Sequence, residues 1–366
     1  MSAQNKNLYQ NLIHKIDRDN NMSLVRYILA FGVLISHFNI LCGANIPWIV
    51  TNYDRVGGFF ALSGFLLISP VLKGISYRDF VMKRIWRIIP SYFFVVILFS
   101  VLLSFISDLS FGDYFKSEGY WKYLAANLSC LNFLCPDLPG VFSDLKISAV
   151  NGALWTMKIE WQLSLTLPFV VLILKHYKFN LKKAVIFILL VSLIYRIILQ
   201  VLYITTEREI YEILGRQLIG QLFYFYAGIF LYTYYEQLKK NKLVFIISSL
   251  IVYIIFRCVD YIPLYYQIGH PFVITLLVIS FSLIPKDFAK YIDRGHNISY
   301  EIYLCHFPIL QVLAYYNAVE RIGVAASLAI GVLLTVIAAI IVYFTVGNLY
   351  LKRKKKSTIP TVSVEQ

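Results

Sequence analysis

The sequence predicts an all-α integral membrane protein of about ten transmembrane helices, with both termini cytoplasmic. Three observations carry this. Of 366 residues, 59% are hydrophobic and only 15% charged, and mean hydropathy is +0.67, whereas a soluble domain is nearer half apolar. Apolar runs of about 20 residues, the length that crosses a hydrocarbon core, recur along the chain. Lys and Arg gather in alternate connecting segments, as cytoplasmic loops do.

The first twenty-odd residues are polar and lack the apolar core and small-residue cleavage site of a signal peptide. Residues 1–23 therefore read as a cytoplasmic segment and 24–42 as a retained span. Further spans are expected at 56–72, 88–107, 153–174, 184–204, 212–235, 243–261, 264–284, 297–317 and 323–350. Together they make a transmembrane domain over 24–350, followed by a basic cytoplasmic tail, 351–366. Of the 34 Lys and Arg, about 23 fall in segments placed inside and about six in segments placed outside. A net charge of +14 then fits basic loops facing anionic lipid. No nucleic-acid-binding signature competes with that reading.

The loop 108–152 is aromatic and polar, and fits a lid over the outer mouth of a cavity or a connector. Cys42, Cys258 and Cys305 fall in or beside spans as small apolar filler. Cys130 and Cys135 share the outer loop and could pair in an oxidising compartment. No spacing indicates a metal site.

Ionisable groups inside spans are costly and usually functional. Arg26 and His37 lie on the first span with ten residues between them. At 1.5 Å per residue, His37 sits roughly 8 Å below the outer surface and Glu160 roughly 10 Å. Ser63 enters the second span from outside, and His306 falls near mid-membrane. Arg196, Arg216 and Arg257 also fall in the middle or outer half. These groups could converge on one polar cavity in the outer leaflet. On the inner side, KRIWRIIP (83–90) reads as a basic turn with Pro90 in the first turn of the third helix. Arg84 and Arg87, three apart, share a helical face and can grip phosphate.

Plainer readings accompany each signal. A lone intramembrane His also serves as a helix–helix hydrogen bond. GGFFALSGF (57–65) also fits a small-residue packing face, and Arg84 and Arg87 also fit as positive-inside anchors. Trp155 also fits as an interfacial anchor. Lys158 and Glu160 could form a structural ion pair, although residues two apart on a helix do not face each other.

In combination, these motifs resemble the membrane-bound acyltransferase 3 family over about residues 24–350. Arg26 and His37 resemble its first motif. Phe59, Phe60, Ser63, Gly64 and Phe65 resemble its Phe-Phe-x-Leu-Ser-Gly-Phe span. Arg84 and Arg87 before Pro90 resemble its basic motif, and Trp155, Thr156 and Glu160 its Trp-Ser/Thr-Leu-x-x-Glu motif. Ser299, Tyr300, Tyr303 and His306 resemble its Ser-Tyr…Tyr-Leu-x-His segment. Gly57-Gly58 stands where the family often has an acid, and Met157 replaces the usual Leu. The chain resembles the stand-alone form, without a fused hydrolase-like domain.

The resemblance implies an O-acyltransferase of a bacterial inner membrane. Its donor would be a cytoplasmic acyl-CoA, with acetyl-CoA the default, and its acceptor a hydroxyl of an extracytoplasmic or lipid-linked polysaccharide. Arg26, Arg84 and Arg87 would hold the CoA phosphates. His37 would act as general base or transient acyl carrier, with Glu160 orienting it or holding the acceptor. Phe60, Ser63, Gly64, Trp155, Thr156, Ser299, Tyr300 and His306 are further site candidates. Membrane lipids and polysaccharide-assembly proteins are the expected partners. The rival reading is a transporter or flippase of a glycan or small anionic solute. It predicts a broken-helix inverted repeat, which the sequence does not display.

Overall fold

The computed structural model describes residues 9–17, 19–47, 52–258 and 263–349, without the side chains of 52–54 and 257–267. Arg18, the side chain of Arg257 and the basic tail 351–366 lie outside the described residues.

Helices account for the structure. They are α1 (Met22–Cys42), α2 (Asn52–Leu72), α3 (Tyr77–Leu102), α4 (Phe111–Lys116), α5 (Glu118–Leu128), α6 (Trp155–His176), α7 (Leu181–Thr206) and α8 (Ile210–Gly215). They continue as α9 (Leu218–Tyr232), α10 (Tyr235–Cys258), α11 (Pro263–Ser282), α12 (Lys290–Asp293), α13 (Ser299–Tyr315), α14 (Ala318–Ile322) and α15 (Val324–Val342). Among the described residues there is no strand.

Among the described residues six helices are long and apolar enough to cross a membrane: Met22–Cys42, Arg55–Leu72, Tyr77–Ile106, Gly152–His176, Leu181–Thr206 and Val324–Gly347. They correspond to the expected first five spans and the tenth. The other four expected segments are helical too, over α8 and α9, α10, α11 and α13. The sixth breaks into α8 and α9, α10 kinks at Asn241, and α13 has 17 residues. The expected basic turn at 83–90 is instead helical, because α3 starts at Tyr77 and carries Pro90 in its interior.

The chain forms two compact units. The first holds residues up to Val33, then Trp48–Tyr77 and Thr156–Asn297. Its centre is the packing of α2 on α9, where backbones touch. A Cβ on Gly64 would overlap the carbonyl oxygen of Phe225, and one on Gly228 would overlap the carbonyl oxygen of Ala61. Small residues permit such close approach between helices in lipid. The packing-face reading of GGFFALSGF therefore holds for Gly64.

Polar side chains from α7 and α9 bond backbone carbonyls around the break between α8 and α9. Arg196 Nη1 donates to Gly220 O at 3.2 Å, Gln221 Nε2 to Gly215 O at 3.0 Å, and Ser192 Oγ to Ile219 O at 2.6 Å. Arg196, expected to contribute to a polar cavity, is buried beside the first turn of α9. At the other end of α9 the N-terminal segment is tied down. His14 N donates to Tyr232 Oη at 3.0 Å, Asp17 N to Tyr235 Oη at 3.2 Å, and Asp17 pairs with Lys239 at 2.7 Å.

The second unit holds Leu34–Pro47, Arg78–Trp155 and the chain from Ile298 onward. Here α13 is almost wholly buried and packs on α15. Pro308 in α13 has no N–H to give the Leu304 carbonyl four residues back. Asn151 Nδ2 supplies that bond at 2.9 Å. Gln311 Nε2 donates to Ile147 O at 2.7 Å and Ala149 O at 2.8 Å. Residues 147–153 are thus sewn to α13 by side-chain amides. The loop 108–152 folds as α4, α5 and short 3-10 turns, and Cys130 and Cys135 are separate thiols rather than a disulfide.

Candidate active site

In the second unit His37 and His306 meet. His37, half-buried on α1, places Nδ1 2.7 Å from Nε2 of His306. The two rings are nearly coplanar, 11° apart, with Phe307 edge-on to His37 at 5.0 Å. His306 is fully buried and its Nδ1 lies 2.7 Å from the Tyr303 carbonyl. A carbonyl only accepts, so His306 Nδ1 carries the hydrogen and Nε2 of the neutral ring accepts. His37 Nδ1 then donates, which puts the basic lone pair of a neutral His37 on Nε2. Tyr303 is itself fixed, its hydroxyl donating to Ala153 O at 3.1 Å.

Arg26 lies eleven positions before His37 on α1, about 16 Å along the axis at 1.5 Å per residue. Eleven residues make close to three full turns, so the two side chains leave α1 on one face.

Arg84, Arg87 and Tyr300 gather at one end of the same unit. Arg84 is buried and Arg87 exposed, so the two arginines are not equivalent. The Tyr300 hydroxyl donates to Ile88 O at 3.1 Å. Next to it lies a carboxylate that the sequence analysis missed. Glu301 is 3% exposed, accepts from Ser91 Oγ at 2.9 Å, and lies within electrostatic reach of Arg87. It sits in the first turn of α13, where the helix dipole favours a negative charge. Gly347 makes the room, since a Cβ there would stand 2.6 Å from Glu301 Oε1. The available signal was an acid inside an apolar span, SYEIYLCHF. Ser299, 3% exposed, is buried at the start of α13.

In the first unit Ser63 Oγ on α2 donates to Glu160 Oε1 on α6 at 3.0 Å. Lys158 donates to Gln217 Oε1 at 2.7 Å. Phe60 is core, 2% exposed, and Thr156 is buried at the start of α6. Trp155, half-buried, follows the 3-10 turn Gly152–Leu154 that Asn151 caps.

The acyltransferase 3 model, described as an acyltransferase domain, matches residues 19–344. The chain belongs to that family. Among curated proteins, the O-acetyl transferase of Shigella phage Sf6 is 29% identical over 149 residues, covering 39% of this chain and 43% of that protein. The O-acetyltransferase OatA of Staphylococcus aureus is 24% identical over 357 residues, 87% of this chain and 55% of that protein. Nodulation protein 10 of Rhizobium leguminosarum bv. viciae is 26% identical over 177 residues, 45% of this chain and 47% of that protein. The chain thus spans about half the length of the curated relatives it matches. No solved structure matches it significantly.

Proposed function

We propose that this acyltransferase is an O-acetyltransferase of a bacterial inner membrane. It moves acetyl from cytoplasmic acetyl-CoA to a hydroxyl of an extracytoplasmic or lipid-linked polysaccharide, and both its termini are cytoplasmic. Family membership and the printed names of the phage and staphylococcal relatives support the reaction class. The single observation that carries the mechanism is the 2.7 Å bond from His37 to His306, which holds one imidazole by a second that is backbone-anchored.

His37 Nε2 takes the proton of the acceptor hydroxyl as its oxygen attacks the thioester carbonyl. The C–S bond breaks, CoA leaves as thiolate, and the proton on His37 passes to the sulfur. The products are the O-acetyl ester and free CoA. Arg84, Arg87 and Arg26 hold the donor phosphates. Arginine suits that task because its fork-shaped charge matches phosphate oxygens. Glu160, which accepts from Ser63, carries the role that the family motif implies, orienting the histidine or holding the acceptor. Phe60, Gly64, Trp155, Thr156, Ser299 and Tyr300 shape and support the residues that act.

The test is the ester content of the host's surface glycans by NMR, in cells with wild-type or His37→Ala protein at matched membrane levels. Loss of an O-acetyl signal in the variant supports the reading and names the sugar. A pattern unchanged by the variant and by gene deletion overturns the glycan acceptor.

A further inference from the structure

One surface of the second unit is apolar, and the site residues make no use of it. Ile97, Val101 and Phe105 follow one another four residues apart along α3 and its 3-10 extension, 46%, 40% and 76% exposed. On a helix long enough to cross a membrane, such a stripe faces hydrocarbon. It continues past the helix end. The Phe105 ring meets Phe111 at 6.1 Å, Phe111 meets Phe115 at 4.9 Å, and Tyr120 meets Trp121 at 5.4 Å. The Trp121 indole N–H donates to Phe115 O at 3.0 Å. Phe111 and Trp121 are nonetheless 59% and 61% exposed.

The opposite side of this segment is firmly packed. Tyr114 and Tyr123 are buried, and the Tyr114 hydroxyl donates to Ser100 O at 2.7 Å. The Tyr92 hydroxyl donates to Asn127 O at 2.7 Å, and Asn127 Nδ2 donates to the carbonyls of Tyr123 and Cys135 at 2.9 Å. The exposed rings are therefore held outward by a fixed scaffold. Polarity changes in order along them. Phe105 and Phe111 lead on from the apolar stripe, whereas Trp121 is flanked by the Glu118–Lys122 pair at 2.9 Å, both of whose side chains are exposed. Apolar, then aromatic, then charged is the sequence of environments from acyl chains through the headgroup zone, and Trp favours that boundary.

We propose that α4 and the first turn of α5 are a membrane-interface anchor, with Phe105 and Phe111 among the acyl chains and Trp121 at headgroup depth. The occupant of this surface is bilayer lipid, by continuity with the stripe on α3. Residues 111–122 then form a shelf pinned to the membrane surface rather than a lid.

The experiment compares tryptophan emission of wild-type and Trp121→Phe protein in lipid nanodiscs, their difference isolating Trp121. The expected difference spectrum is blue-shifted, quenched by lipids brominated near the headgroup and insensitive to aqueous iodide. Phe111→Ser, which leaves the tyrosine side intact, removes much of that lipid quenching when combined with the same subtraction. Quenching by iodide and not by bromolipid overturns the proposal. So does quenching by neither, which would mean a protein, a second copy included, covers the ring. None of these readings depends on acyl transfer.

Discussion

Replacing His306 with Leu removes the acceptor of the His37 Nδ1 hydrogen while keeping a buried apolar side chain of similar bulk on α13. The Tyr303 carbonyl keeps its place in the α13 ladder, so the loss falls on His37. A donor left without its partner costs about 1–3 kcal/mol. If the bond is needed to reach the transition state, that is roughly 5- to 150-fold in rate, at tenfold per 1.36 kcal/mol. His37 is then also free to carry its hydrogen on either nitrogen, so part of the population presents the wrong one to the acceptor. The assay is CoA release from acetyl-CoA in nanodiscs, followed with a thiol reagent, together with thermal stability of the same samples. The expected result is a fall in turnover within that range with little change in melting temperature. His306→Gln, whose amide oxygen can take the hydrogen, recovers part of it. Wild-type turnover in His306→Leu, with a melting temperature unchanged, would refute the reasoning.

Gly64→Val drives a branched side chain against the Phe225 carbonyl and costs about 1–3 kcal/mol of overpacking; a melting temperature equal to wild type in a fluorescence-detected thermal assay would contradict the backbone contact. Arg87→Ala raises KM for acetyl-CoA about tenfold or more, from loss of a charged hydrogen bond of about 1.5–3 kcal/mol, with kcat nearly constant. Lys83→Ala, one turn away on the same helix, leaves KM unchanged; an equal effect of the two would reduce Arg87 to an ordinary charge anchor.

Length and hydropathy were enough to find the six long helices, because a span of about 20 apolar residues has no other common use. The same signal does not show where a helix breaks. The 212–235 stretch is largely apolar, yet it breaks at Arg216–Gln217, and the side chains that bond the backbone around the break include Arg196 and Ser192 on another helix. Lys83 to Pro90 looked like a turn because charge and proline usually end a helix. Proline is tolerated in a membrane helix when other groups satisfy the freed carbonyl, and long cationic side chains at a helix end reach the interface. The motifs named His37, Ser63, Glu160 and His306 but not their pairing. His37 and His306 are 269 positions apart and Ser63 and Glu160 97 apart, distances over which local pattern carries no information. Glu301 was overlooked because its partners, Ser91 and the bare backbone of Gly347, are remote in the chain.

The amide of Asn151 under Pro308 also constrains biogenesis. Asn151 leaves the ribosome about 150 residues before the carbonyl it serves, and Gln311 reaches back just as far, to Ile147 and Ala149. Until residues 147–153 are in place, α13 carries a peptide oxygen that lipid cannot satisfy. The late helix is therefore completed by an earlier loop, two residues from His306. Completion of the helix that carries His306 is thereby tied to residues made about 150 positions earlier.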